Sequence, residues 1–249
     1  MRHILFMHLD YTKIGGSESY FWFKGKYQLS KLLTKKFAPG KNHRILLVGG
    51  GMGAELKILQ QHGKTDIIDI DAESLTHVPR QSCDQIFHGD ITDYPLQKGY
   101  YDLAIAYDVI EHVKHHRAAL NNIFASLKPG GLFIMNVPAH NYLFSGHDTA
   151  AGHFRRYSLK DVKHVVHEAG FRIKFISYWN FFLSPLFLVY RGLSKMSRKK
   201  GYDYIPFPPA VNAVLAFPFT IENYLIAHGI PLPYGISIIT VLERPRRAR

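Results

Sequence analysis

Apolar residues fall along the chain in short blocks separated by polar or glycine-rich stretches. Ile45, Leu46, Leu47 and Val48 form a continuous run, the pattern of a strand buried on both faces of a parallel sheet. Ile67 and Ile68 mark a second strand, residues 85–88 a brief third, 101–107 a fourth and 132–137 a fifth. Between these blocks the apolar period lengthens to that of a helix. Residues 54–59 show it after the first strand, and Val113, Leu120, Ile123, Phe124 and Leu127 show it after the fourth, up to a stop at Lys128-Pro129-Gly130-Gly131. Ahead of the first strand, Tyr27, Leu32, Leu33 and Phe37 share one helix face with lysines opposite, and Pro39-Gly40 ends that helix. Ser158 and Asp161 resemble a capping box opening a helix through Val162, Val165, Val166 and Ala169, which Gly170 closes. Residues 171–178 and 236–242 read as two further strands. The alternation predicts an α/β protein with a right-handed, doubly wound parallel sheet.

In such a sheet ligands lie outside the carboxyl ends of the strands, and the chemistry-bearing residues fall there. Gly49, Gly50, Gly51 and Gly53 follow the first strand at once and form a strand-to-helix turn. Glycine allows backbone angles with φ above zero, and a missing Cβ lets a ligand lie against the main chain. Asp69, sixteen residues beyond Gly53, ends the second strand, where a carboxylate accepts hydrogen bonds from a ribose. Asp66 and Asp71 are near enough to compete, and Asp69 is preferred on spacing, with Ile70 beside it. Past the third strand, Asp90 could meet the amine of an adenine, with Ile91 as an apolar surface for the ring. Asp108 ends the fourth strand.

Composition narrows the setting. The 249 residues suit one large α/β domain with an insertion. A single cysteine, Cys83, excludes an internal disulfide and a cysteine-built zinc site, which favours a reducing compartment. The first ten residues hold an apolar run broken by His8 and Asp10, so the expected location is cytoplasmic, peripheral to the inner face of the membrane if it associates. Net charge is +12, of which +3 belongs to residues 1–140 and +9 to residues 141–249. That asymmetry suggests an anionic partner for the second half: phosphate, nucleic acid or an acidic membrane surface.

Residues 138–157 form a long loop with His140, His147, Asp148, His153, Arg155 and Arg156, and loops of that length are usually functional or disordered. In residues 181–200 aromatics precede Arg191, Lys195, Arg198, Lys199 and Lys200. This suits a segment lying in a membrane interface, or a hydrophobic cap over a substrate pocket. The chain is expected to divide into an aromatic helical cap (1–43), a cofactor-binding core (44–178), a hydrophobic basic insertion (179–235), and a last strand with a disordered basic tail (236–249).

The strings ILLVGGGMGAE, IIDID, HGDI, YDLAIAYDVIEHV and LKPGGLFIMNVPA, joined by GHDTAAGHFRRYS, resemble the class I S-adenosylmethionine-dependent methyltransferases, in the branch of the ubiquinone-type enzymes. The resemblance covers about residues 18–178. It implies a Rossmann-like, seven-stranded, mostly parallel sheet with an antiparallel last strand, and S-adenosylmethionine as cofactor. Leu47 stands where the family commonly has an acid. Because the cofactor brings an activated methyl group, the protein has to hold an acceptor in line with it and, for a hydroxyl, remove a proton. Candidate bases are His112, His147 and His153, with His140 a fourth. Asp108, Glu111 and His112 stand at i, i+3 and i+4, so on a helix they would share a face, and relatives with acid-x-x-Glu-His hold a metal there. The same string occurs in metal-free relatives. The acceptor implied is a small or lipid-linked molecule, with RNA as the alternative enzyme substrate and a non-catalytic nucleotide-binding or membrane-scaffold role as the alternative class.

Overall fold

The computed structural model describes residues 20–51, 53–189 and 207–246. Seven strands form one sheet: β1 (His43–Val48), β2 (Gly63–Asp69), β3 (Ile86–His88), β4 (Tyr101–Tyr107), β5 (Leu127–Pro138), β6 (Arg172–Trp179) and β7 (Ser237–Glu243). Their order is β3-β2-β1-β4-β5-β7-β6. β1 to β5 pair in parallel, and β7 runs antiparallel to both β5 and β6. The strand order reverses between β1 and β4, which opens a crevice at their carboxyl ends.

Side chains alternate across the strands, so the two-sided run in β1 feeds two cores. Leu46 and Val48 join α4 (His116–Ser126) and α6 (Leu159–Glu168) on one face. Ile45 and Leu47 join α1 (Phe21–Phe37) and α7 (Pro209–Ala227) on the other. All four are at most 2% exposed.

Several boundaries differ from the sequence pattern. The expected turn at Lys128-Pro129-Gly130-Gly131 is strand: α4 ends at Ser126 and the chain enters β5 directly, with a register shift against β4 between Tyr101 and Leu103. The tail makes this possible. Gly130 N–H donates to Arg244 O (2.7 Å) and Arg244 N–H to Gly131 O (2.9 Å), extending the β5–β7 ladder back to Gly130. Arg244 also donates through Nη1 to the carbonyls of Phe124, Ala125 and Leu127, capping the end of α4. The tail, expected to be disordered, is thus held at Arg244, and residues 247–249 lie outside the described residues. The loop 138–157 contains a helical turn (Asn141–Leu143) and the short α5 (Gly146–Ala150).

The inward face of α1 is also rotated from the expected one: Phe23, Lys26, Leu29, Ser30 and Leu33 are buried, while Tyr27 and Leu32 are only half-buried. The rotation follows from α7, which packs so closely that a Cβ on Gly25 would lie 2.6 Å from the Phe219 ring. Among the described residues α7 is the one helix long and apolar enough to cross a membrane. The expected interface segment 181–200 is described only to residue 189.

Glu222 of α7 joins the two parts of the insertion. Fully buried, its carboxylate accepts the N–H groups of Asn180 and Phe182, both at 2.7 Å. Glu222→Ala would leave both donors without a partner, and is expected to lower unfolding free energy by about 2–4 kcal/mol in urea melts. Glu222→Gln keeps an acceptor oxygen and is expected to lose less. A melt of the alanine variant that overlays wild type would show the carboxylate idle.

Candidate active site

The glycine turn follows β1 directly. Gly49 has φ +63° and donates its N–H to Ile68 O (2.8 Å), and a Cβ there would stand 2.4 Å from Val109. Gly51 has φ +50° and a Cβ there would meet nothing within 4 Å, so the turn faces open space. Under it, the side chains of Leu47 and Ile67 fill the place that a Cβ on Gly50 would need. Leu47 supports the turn by packing.

Of the three acids near the end of β2, only Asp69 faces the turn. Its Oδ2 accepts Gly51 N–H (2.8 Å) and its Oδ1 accepts Asp71 N–H (2.9 Å). Asp69 is 4% exposed, and burial raises its carboxyl above the usual range, opposed by those N–H groups. Asp66 lies lower in β2 and accepts Tyr101 Oη–H (2.9 Å), while Asp71 accepts Glu73 N–H (3.0 Å) and caps α3 (Ala72–Thr76). Asp90 accepts Thr92 N–H (2.8 Å) and shapes its own loop. Ile91, expected as a ring surface, is instead a core residue at 6% exposure; Ile70, beside Asp69, is 45% exposed and offers the apolar surface.

Asp108 ends β4 in the left-handed region, φ +56°. Its carboxylate accepts the Lys26 ammonium (3.1 Å) and Asn136 Nδ2–H (2.6 Å). Lys26 therefore reaches from α1 to the strand ends, and Glu55, buried at the start of α2 (Leu56–Leu59), lies within its field. Burial raises the Glu55 carboxyl and the Lys26 charge lowers it.

The helix expected to carry Asp108, Glu111 and His112 on one face is absent. Ile110–His112 is a 3₁₀ turn, and α4 starts only at His116. With no continuous helix from residue 108, the i, i+3, i+4 geometry does not apply, and Asp108 is engaged by Lys26 and Asn136. Glu111 and His112 meet His153 instead, their ligand-type atoms lying within 4.8 Å of one another. The imidazoles of His112 and His153 pack edge to face with centroids 4.6 Å apart. Phe154 N–H donates to Glu111 O (2.9 Å), tying the loop to the 3₁₀ turn. Burial and the neighbouring His153 push His112 down to about 4, so it is neutral at pH 7. Glu111 is fully buried, neither carboxyl oxygen has a hydrogen-bond partner among the described residues, and burial with the nearby Asp108 raises it well above the usual range.

Behind His153 stands Asp148, fully buried. Its Oδ1 faces His153 Nδ1 (3.0 Å) and accepts Arg156 Nε–H (2.7 Å), while Arg156 Nη1 donates to Ala139 O (3.1 Å). The loop is thereby folded back onto the end of β5. His147 is exposed on α5 and lies outside this cluster. His140 is also elsewhere: it stacks on Tyr234 (4.6 Å) and Tyr178 (5.2 Å), with Nε2 on Gly235 O (2.9 Å).

Lys26 and Asn136 were not singled out by the sequence pattern, and Asp148 and Arg156 stood out only as members of the long loop, without their pairing. Lys26 left a trace, since it interrupts the stripe Phe23, Lys26, Leu29, Leu33 where an apolar residue belongs. Asn136, the last polar residue of a strand, left none, and the contact between Asp148 and Arg156, loop residues eight apart, carries no period.

A family model described as a methyltransferase domain matches residues 21–174. A probable S-adenosylmethionine-dependent methyltransferase of Mycolicibacterium smegmatis is 26% identical over 163 residues, 64% of this chain and 63% of that relative. The chain thus spans less than two thirds of that relative's length. A probable S-adenosylmethionine-dependent methyltransferase of Mycobacterium tuberculosis is 22% identical over 244 residues, covering 90% of this chain and 84% of the relative. Among solved structures, phosphoethanolamine N-methyltransferase 2 of Haemonchus contortus in complex with S-adenosylmethionine superposes with TM-score 0.63 at 16% identity. That superposition covers 99% of this chain and 60% of that one. An S-adenosylmethionine-dependent methyltransferase from Archaeoglobus fulgidus gives TM-score 0.57 at 16% identity, covering 94% and 98%. The structural likenesses speak for the fold, and the matched span, running from α1 into β6, takes in more than half of the residues. The chain belongs to the methyltransferase domain family.

Proposed function

We propose that the protein methylates a hydroxyl of a small or lipid-linked acceptor. Bound S-adenosylmethionine supplies a methyl group on a sulfonium, and the remaining tasks fall to the chain: grip the nucleoside, place the acceptor and take its proton. Gly49, Gly50, Gly51 and Gly53 form the bed, Asp69 takes the ribose hydroxyls, and Asp90 with Ile70 and the backbone at Ile91 borders the base. Asp108, with Lys26 beside it, takes the charged methionine end.

The observation that carries the O-methyl reading is the Asp148–His153 pair at 3.0 Å, set against a neutral His112. An imidazole held by a buried carboxylate has its tautomer and ring orientation fixed, as a general base requires. His112, with a pKa of about 4, is a weak proton acceptor and serves to hold the acceptor hydroxyl. His153 is the base.

Glu111 favours a second reading. A buried carboxyl without a partner, beside two imidazoles of which one is oriented by Asp148, fits a divalent cation. Glu111, His112 and His153 would hold it, and it would lower the pKa of an acceptor hydroxyl.

Three measurements test these readings. Calorimetry is expected to show one S-adenosylmethionine site per chain. Labelled cofactor offered to lipid, glycan and RNA extracts is expected to mark the lipid or glycan fraction, with the product carrying a methyl ether. Label confined to RNA would refute the acceptor class, and label on nitrogen or carbon the role of the base. Activity abolished by a chelator and restored by a divalent cation would select the metal reading.

A further inference from the structure

Helix α7 is built inside out. Three of its polar side chains point into the protein: Asn212 accepts Phe21 N–H (3.1 Å), Glu222 accepts Asn180 and Phe182 N–H, and Asn223 accepts Trp179 Nε1–H (2.9 Å) and donates to Gly25 O (2.8 Å). Its outer face carries Val211, Val214, Phe217, Ile221 and Tyr224, between 39% and 72% exposed. Steps of three, three, four and three residues place these five in one stripe. A helix facing water shows the reverse arrangement.

The stretch after β6 repeats the pattern. Phe182, Leu186 and Val189 are exposed at spacings of four and three, and the Phe182 N–H bond to Glu222 sets the start of this second stripe against α7. Eight large apolar side chains gathered in two adjoining segments exceed the scatter normal on a water-facing surface. The sequence that joins the two segments is one-sided in charge. The sequence from 190 to 206, outside the described residues, holds Arg191, Lys195, Arg198, Lys199 and Lys200 against a single acid, Asp203. At the far end of α7, Lys36 Nζ lies 3.4 Å from where a Cβ on Gly229 would stand, next to exposed Ile230.

We propose that this face docks on an anionic lipid bilayer, with α7 lying in the interface. An apolar stripe flanked by lysine and arginine is what such a surface recognises. Crossing the bilayer is ruled out by the inward face: pulling the 19-residue helix into hydrocarbon would break the bonds of Asn212, Glu222 and Asn223 and leave buried polar groups of α1 and β6 without partners. The proposal deepens the lipid-linked acceptor reading and rests on it for its purpose, since a docked enzyme meets an acceptor that stays in the membrane. Docking itself needs no methyl transfer.

Flotation of the full chain with vesicles of phosphatidylcholine alone, and of phosphatidylcholine with phosphatidylglycerol, tests it. The protein is expected to float with the anionic vesicles at low salt, and less with neutral ones or at high salt. Val214→Glu with Phe217→Glu is expected to reduce partitioning by about tenfold or more, with thermal melting and S-adenosylmethionine affinity unchanged because both side chains are exposed. A second variant, Arg198→Gln with Lys199→Gln and Lys200→Gln, leaves the stripe whole and is expected to lose the preference for anionic lipid. Wild type that stays unbound to anionic vesicles at low salt overturns the proposal, as does a glutamate variant that floats like wild type. A wild-type dimer that the glutamate variant dissolves assigns the face to a second copy and overturns it too. Flotation retained in protein that binds no S-adenosylmethionine supports docking while refuting the methyl-transfer reading.

Discussion

Asp69→Ala is expected to weaken S-adenosylmethionine binding by about 2–4 kcal/mol, the worth of a charged pair of hydrogen bonds, or about 30- to 1,000-fold in Kd. The loss arises twice over. In the proposed site the carboxylate is the acceptor offered to the ribose, and its two oxygens hold Gly51 N–H and Asp71 N–H, so its removal also releases the glycine turn. Asp69→Asn preserves the shape and one acceptor oxygen and is expected to fall between. The neighbouring acids separate the alternatives. Asp71→Ala removes the cap of α3 and Asp66→Ala leaves the Tyr101 hydroxyl without its partner, so both are expected to lower the melting temperature while cofactor affinity stays near wild type. Calorimetry on all four variants reads this directly, and wild-type affinity in Asp69→Ala would move the ribose contact elsewhere.

His153→Ala is expected to lower kcat by between about 10² and 10⁴, the range for removal of a general base, with little change in cofactor affinity. His112→Ala is expected to act on the acceptor first, raising KM, and to lower kcat less. If the two imidazoles work as a unit, the double variant falls little further than His153→Ala alone. His147→Ala serves as the control, because that side chain is exposed on α5, outside the pair. Steady-state rates against the acceptor found in the extract screen check each value. A His153→Ala enzyme that keeps near-wild-type kcat would take the base out of this loop.

How far the sequence reveals the site follows from the range of the forces involved. The glycine turn and Asp69 were legible because they belong to a local device: a buried strand, a bend that needs positive φ and a carboxylate one strand away, all set by short-range pattern. The histidine cluster was only half legible. Glu111 and His112 stood out as neighbours of Asp108 on an assumed helix, but Asp108 is held in the left-handed region by Asn136 and Lys26, contacts 28 and 82 residues distant, and the helix does not start there. His153 joins the cluster through Asp148 and Arg156, whose salt bridge depends on where the loop folds back.

The alternation of strand and helix, the crevice beyond the strand ends, the glycine bed and its acid were thus determined by the sequence alone, since apolar periodicity and glycine's backbone freedom act within a few residues of their cause. Which side of α1 turns inward, which histidines meet and which face of α7 is left to the outside were decided only by tertiary packing. Gly25 admits the Phe219 ring, Glu222 gathers two backbone N–H groups from another segment, and Lys26 finds its carboxylate across the sheet. Each is a contact between residues far apart in the chain, where no local period carries information about the partner.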